Sequence, residues 1–238
     1  KILLMLLSIL RFLVFQIGKK KFWNATKNKE FDEFKKKLSE TIDNKKHNSP
    51  SIAILSAHYA QNFKIKDPYN FCPSPLNFVC HEQISELIDN DQQLIKELIG
   101  DINNADIGHR KQSRLTAGIQ SSGNLFKRNE ISFNKLSKAL IKIINKYFLS
   151  HKKERNEFIK SFPKNIIFSS AWYVKMQSGG HLSSHIHEEG WISGAVYLAI
   201  PKNSGASKQE GAIELSSDGD QYPRPVSYTH LTLPTKDS

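Results

Sequence analysis

The stretch Ser170 to Pro201, SAWYVKMQSGGHLSSHIHEEGWISGAVYLAIP, decides how the rest of the chain is read. It joins two runs rich in β-branched and aromatic residues, Ile166 to Met176 and Trp191 to Ile200, through a connection of Gly, Ser, His and Glu. Such runs favour a pleated, half-buried surface, so the segment reads as strand, loop, strand, and Gly211 to Leu215 extends the series to a third strand. Trp191 to Ile200 has almost no polar residue, the pattern of a strand buried on both faces.

The loop carries the chemistry. In extended chain, residues i and i+2 point to the same side, so His185 and His187 present two imidazoles together while Ile186 turns toward the sheet. A pair of histidines on a surface loop is often merely solvated. Here the pair lies between apolar strands, is entered through Gly179-Gly180, follows His181, and precedes Glu188 and Glu189. Imidazoles with a carboxylate suit a first-row metal such as Fe(II), and a facial set of three ligands leaves positions open for substrate. Tyr173, Tyr197 and Trp191 either line a pocket beside this loop or fill the core, and His181 is read as a solvated loop residue.

Upstream the chain is helical. Residues 30–44 space Phe31, Phe34, Leu38 and Ile42 at steps of three and four, the stripe of an amphipathic helix, and residues 81–99 and 131–149 repeat the pattern. A shorter apolar segment, Ile52 to Ala57, lies between them, and prolines 68, 73 and 75 forbid a continuous helix over 67–76. These helices are expected to form a layer bracing a sheet. Gly118 to Gly123 lacks the Lys-Ser or Lys-Thr of a phosphate-binding loop, and Ser121 to Phe126 reads as a turn.

With 238 residues, 39% hydrophobic, the chain is long enough for one domain and a smaller appendage, which rules out wholesale disorder. Two cysteines, Cys72 and Cys80, supply neither a disulfide framework nor a four-thiolate zinc site, so free thiols in a reducing, cytoplasmic compartment are expected. The net charge of +11 comes from 34 basic residues of which only six are arginine. Lysines scattered in this way read as solvated faces, and no specific nucleic-acid partner is expected.

Both ends are read apart from the domain. Ile2 to Ile17 is apolar except for Ser8, Arg11 and Gln16 and is followed by Lys19 to Lys21. It is short of the roughly 20 residues of a membrane span, so residues 2–17 are expected as a buried or amphipathic helix, with a membrane anchor the less favoured alternative. Residues 1–48 are thus an N-terminal helical segment or the remnant of an upstream domain. Val226 to Thr235, VSYTHLTLPT, reads like a translated sequencing adapter, so 226–238 are expected to be non-native and 49–225 to be a truncated domain. The alternative for that run is a genuine short strand.

Taken together, the 170–201 stretch and the later EGAIEL (Glu210 to Leu215) resemble the 2-oxoglutarate- and Fe(II)-dependent oxygenases often found beside tetratricopeptide repeats, distant relatives of prolyl 4-hydroxylases. NFCPSPLNFV (Asn70 to Val79) and TAGIQSSGNLF (Thr116 to Phe126) resemble recurrent segments of the same family, so the likeness covers residues 50 to 225. It implies an α+β, mainly β fold: a double-stranded β-helix, or jelly roll, with packed helices, here C-terminally truncated. It implies Fe(II) and 2-oxoglutarate as cofactor and co-substrate, ascorbate as an accessory reductant, and hydroxylation of a small-molecule or peptidyl substrate.

By the same resemblance His185 matches the first iron ligand, while His187 stands where many relatives carry aspartate. Either a second imidazole is used, or Glu188 or Glu189 supplies the carboxylate. The distal histidine and the basic residue for the far carboxylate of 2-oxoglutarate are expected on later strands past residue 225, so the recorded chain is expected to be inactive. Leu182 occupies the place of a prolyl-hydroxylase tyrosine, which leaves Tyr173 and Tyr197 as candidate co-substrate contacts. Two alternatives stand beside this one. Gly179, five residues, then His185-Ile-His187 also fits the start of a cupin motif, although Trp191 and Ile192 replace its expected glutamate; and a non-catalytic binding module can use the same scaffold.

Overall fold

The computed structural model describes residues 2–8, 31–43, 50–183, 185, 187, 190–200, 212–216 and 230–233. Chain order is β1 (Ile2–Ser8), α1 (Phe31–Asp43), α2 (Pro50–Phe63), α3 (Ser85–Asn104), β2 (His109–Arg110), β3 (Leu115–Ser121), α4 (Ile131–His151), α5 (Glu157–Lys160), β4 (Phe168–Leu182), β5 (Ile192–Ala199), β6 (Ile213–Ser216) and β7 (His230–Leu233). The architecture is helices with antiparallel sheet, an α+β arrangement. One sheet has the order β2-β3-β4-β1-β5, and β6 pairs with β7 apart from it.

Alternation along β4 and β5 sorts the side chains onto two faces. Ala171 and Tyr173 of β4 and Val196 and Leu198 of β5 pack with Leu94, Leu98 and Ile102 of α3 and Phe133, Leu136 and Leu140 of α4. This is the helix-braced face expected from the three- and four-residue spacing. Trp172 and Val174 point the other way and pack with Leu115, Met176, Ala195 and Tyr197. β5 therefore buries Val196 and Leu198 on one side and half-covers Ala195 and Tyr197 on the other, while Ser193 and Gly194 at its start are exposed. The expectation of full burial on both faces is corrected accordingly.

A third cluster, Phe71, Phe158 and Ile159 with Trp191 against it, ties the proline-marked segment to the start of β5. The Trp191 indole stacks on Phe158 at 6.1 Å and donates to the Phe158 carbonyl oxygen at 3.2 Å. Lys135, Lys142 and Lys146 of α4 pair with Glu97, Glu86 and Glu82 at 2.7, 2.8 and 3.0 Å. Exposed pairs of this kind contribute at most about 1 kcal/mol each. These three lysines lie on a solvated face of α4.

Other differences from the sequence reading have local causes. Helix 81–99 is realised as Ser85–Asn104 but is broken at Asp89–Gln92, where Asn90, Asp91 and Gln92 take positive φ. Short Asn and Asp side chains compete for backbone hydrogen bonds and tolerate this conformation. Residues 2–8 form a strand between β4 and β5, not the helix expected there; Leu4 pairs with Tyr173 on one side and Val196 on the other. Residues 9–30 lie outside the described set. Among the described residues no helix is long and apolar enough to cross a membrane. His230–Leu233, within the run read as adapter, pairs with β6.

Candidate metal centre

Two glycines shape the approach to the histidine loop. Gly179 has φ +73°, a conformation that costs an L-residue about 1–2 kcal/mol. Gly180 is needed for a different reason: a Cβ there would lie 2.7 Å from the Ala117 carbonyl oxygen of β3. β3 thus runs hard against the end of β4, pairing Thr116 with His181 and Leu115 with Leu182, with a register shift between Thr116 and Gly118. The Ser183 amide then donates to the Arg114 carbonyl oxygen at 2.9 Å. The β2–β3 hairpin is fastened to the loop immediately before the paired histidines.

His185 and His187 come together as the i, i+2 argument required. Their ring centroids are 4.7 Å apart at an interplanar angle of 76°. His185 Nδ1 lies 2.7 Å from the Ser183 carbonyl oxygen. A carbonyl only accepts, so Nδ1 carries a proton, and Nε2 is the ring nitrogen left for a metal, the arrangement that orients a metal-binding histidine. Burial, the neighbouring His185 and the Arg114 charge push the His187 imidazole down to about 4, so it is neutral at pH 7. A neutral imidazole is the form that ligates.

Beneath the pair lies Trp172, its ring 6.0 Å from that of His187. The Trp172 indole Nε1 is buried without a hydrogen-bond partner among the described residues. The two imidazoles and this unsatisfied donor fit a polar guest held by two histidines, consistent with iron and an oxygen-bearing ligand. Among the described residues no group of three or more His, Cys, Asp or Glu side chains converges. Glu188 and Glu189, the alternative carboxylates, lie outside the described residues.

The remaining candidates divide. Tyr197 sits on the Trp172 face, where burial pushes its phenol up to about 12. Tyr173 belongs to the opposite, helix-braced face, with its hydroxyl 2.9 Å from His109 Nε2, and so does not share a face with Trp172. Trp191 is held in the aromatic cluster described above. His181 is exposed at the end of β4, its Nδ1 3.3 Å from the Gly179 carbonyl oxygen. Cys72 and Cys80 are free thiols. Sequence reasoning passed over Trp172, Arg110, Arg114 and Gln120; the strict alternation from Trp172 to Val174 to Met176 was the available signal for the first.

Residues 170–236 match the profile of a family described as "Putative 2OG-Fe(II) oxygenase". The matched segment begins in β4, contains both histidines and runs through β7. This supports the resemblance to 2-oxoglutarate- and Fe(II)-dependent oxygenases, whose members imply Fe(II) and 2-oxoglutarate. No curated protein and no solved structure matches the chain.

Proposed function

We propose that the protein is an Fe(II)- and 2-oxoglutarate-dependent dioxygenase that hydroxylates a small-molecule or peptidyl substrate on a double-stranded β-helix. The observation that carries this reading is the paired, pre-oriented His185 and His187 within the segment that matches the oxygenase family. When bound, iron with 2-oxoglutarate would activate dioxygen for C–H hydroxylation, one oxygen atom going to the substrate and the other to succinate as carbon dioxide leaves.

The chain's own residues do the positioning. Ser183 holds the His185 ring through Nδ1, which leaves Nε2 for the metal. His187 stays neutral because burial, and then the nearby His185 and Arg114, disfavour its protonated form. Trp172, which packs with Val174 and Tyr197, gives His187 an apolar neighbour, and its buried indole N–H is unpaired among the described residues. A third ligand, His or Glu, completes the set. Free Cys72 and Cys80 fit a reducing compartment such as the cytoplasm.

The test is anaerobic Fe(II) calorimetry on the full chain. His185→Ala is expected to abolish specific binding and His181→Ala to leave most of it, because losing one of about three ligands is seldom tolerated. Equal Fe(II) affinity in wild type and His185→Ala would leave a non-catalytic binding module as the better reading.

A further inference from the structure

The β2–β3 hairpin brings a run of positive charge, His109-Arg110-Lys111-Gln112-Ser113-Arg114, to the edge of the histidine site. Its side chains are sorted by cross-strand register. His109 pairs with Ser121 and shares the helix-braced face with Tyr173, whereas Arg110 pairs with Gln120, and Gln120 with Val174, on the face of Trp172. Arg110 is accordingly not a loose surface side chain. Its guanidinium carbon lies 5.9 Å from the centroid of the Trp172 ring, and with the Gln120 carboxamide oxygen turned toward it, Nε and Nη2 donate at 3.1 and 3.2 Å. Gln120 is only 1% exposed, so this brace is itself fixed.

Among the described residues the charge is also uncompensated. Several cations elsewhere in the domain are neutralised: Lys135, Lys142, Lys146 and Arg128 each pair with a glutamate. Arg110, Lys111 and Arg114 form no ion pair among the described residues. An open groove of about 850 Å³ runs along this hairpin between Arg110, Ser113, Leu115 and Ile119. A guanidinium held over an indole and braced along one edge is pre-organised, and its planar fork matches carboxylate or phosphate geometry.

We infer that Arg110, aided by Arg114, is a specificity-determining anchor for an anionic group, carboxylate or phosphate, on the substrate that reacts beside His185 and His187. That assignment of a substrate class rests on the oxygenase reading; the anion site itself does not. Trp172 links the two, since its ring contacts the His187 ring on one hand and the Arg110 guanidinium on the other.

The experiment follows the Trp172 indole N–H resonance of the metal-free full chain during titration with inorganic phosphate, with glutarate and with 2-oxoglutarate. Trp172→Phe supplies the assignment. Phosphate and glutarate are expected to shift that resonance with saturable, millimolar-range affinity. Arg110→Gln should weaken both by at least about tenfold, the scale of one charge-assisted hydrogen bond, and Arg110→Lys should recover only part because lysine lacks the fork. Unchanged phosphate and glutarate affinity in both Arg110→Gln and Arg114→Gln would overturn the inference. So would a loss confined to 2-oxoglutarate, which would make the hairpin a co-substrate contact. A parallel Mn(II) titration separates the two claims: Arg110→Gln should leave it unchanged, and a chain that binds phosphate at the hairpin but no Mn(II) would keep the anion site while removing the oxygenase reading.

Discussion

Substituting Gly180 by alanine tests whether the close approach of β3 to β4 is what holds the histidine loop in place. The new Cβ would sit 2.7 Å from the Ala117 carbonyl oxygen and 3.0 Å from both the Gln177 carbonyl oxygen and the Met176 Cβ. Carbon and carbonyl oxygen ordinarily meet at about 3.3–3.6 Å, so backbone, not a flexible side-chain tip, must move by roughly 0.6 Å or more. Overpacking of this kind costs about 1–3 kcal/mol, which for a domain of this size lowers Tm by roughly 2–4 °C per kcal/mol. Gly179 is the internal control. No atom lies within 4 Å of a Cβ built there, but φ is +73°, so Gly179→Ala meets a conformational cost and Gly179→Asn should recover much of it. Gly180→Asn should recover nothing. Urea unfolding of the four variants measures the costs, and a Gly180→Ala protein within 0.5 kcal/mol of wild type would refute the steric argument.

Three further outcomes are expected. Tyr173→Phe removes a 2.9 Å hydrogen bond to His109 from a residue only 1% exposed and should destabilise by about 0.5–1.5 kcal/mol without changing metal affinity, as chemical denaturation and calorimetry can check. Toward a thiol-alkylating reagent the exposed Cys80 should react well before Cys72, whose thiol burial and Asp67 push up to about 11; peptide mapping after brief labelling reads the order, and faster labelling of Cys72 would contradict its burial. Tyr197, raised to about 12 by burial, keeps its proton in the folded state where an unfolded phenol ionises near 10. Its contribution to stability is therefore fully present below about pH 10 and lost between about 10 and 12, and Tyr197→Phe should flatten that part of the pH–stability curve.

How far the sequence could be read depended on how local each signal was. α1 and α4 follow from residue periodicity and β5 from its β-branched and aromatic composition, and their observed bounds, Phe31–Asp43, Ile131–His151 and Ile192–Ala199, lie within a few residues of the expected ones. The break at Asp89–Gln92 was hidden because apolar spacing continues across it through Leu87 and Leu94. β1 was misread because Ile2–Ser8 is a continuous apolar run, and such a run does not distinguish a helix from a central strand; its neighbours β4 and β5 are more than 150 residues away. The histidine pair was legible from spacing alone. Its surroundings were not, because Arg110 and Gln120 reach Trp172 only through the β2–β3–β4 register, which a seven-residue strand interrupted by Gly118 announces weakly.

The most direct test of the central claim is to watch the imidazole nitrogens of the full chain while Zn(II) is added as a diamagnetic substitute for Fe(II). Long-range proton–nitrogen spectra of the histidines distinguish Nδ1 from Nε2. The account predicts that the Nε2 resonance of His185 shifts on metal addition while its Nδ1 remains protonated against the Ser183 carbonyl oxygen, and that His187 shifts with it. Shifts confined to the exposed His181, or none at His185 and His187, would contradict it.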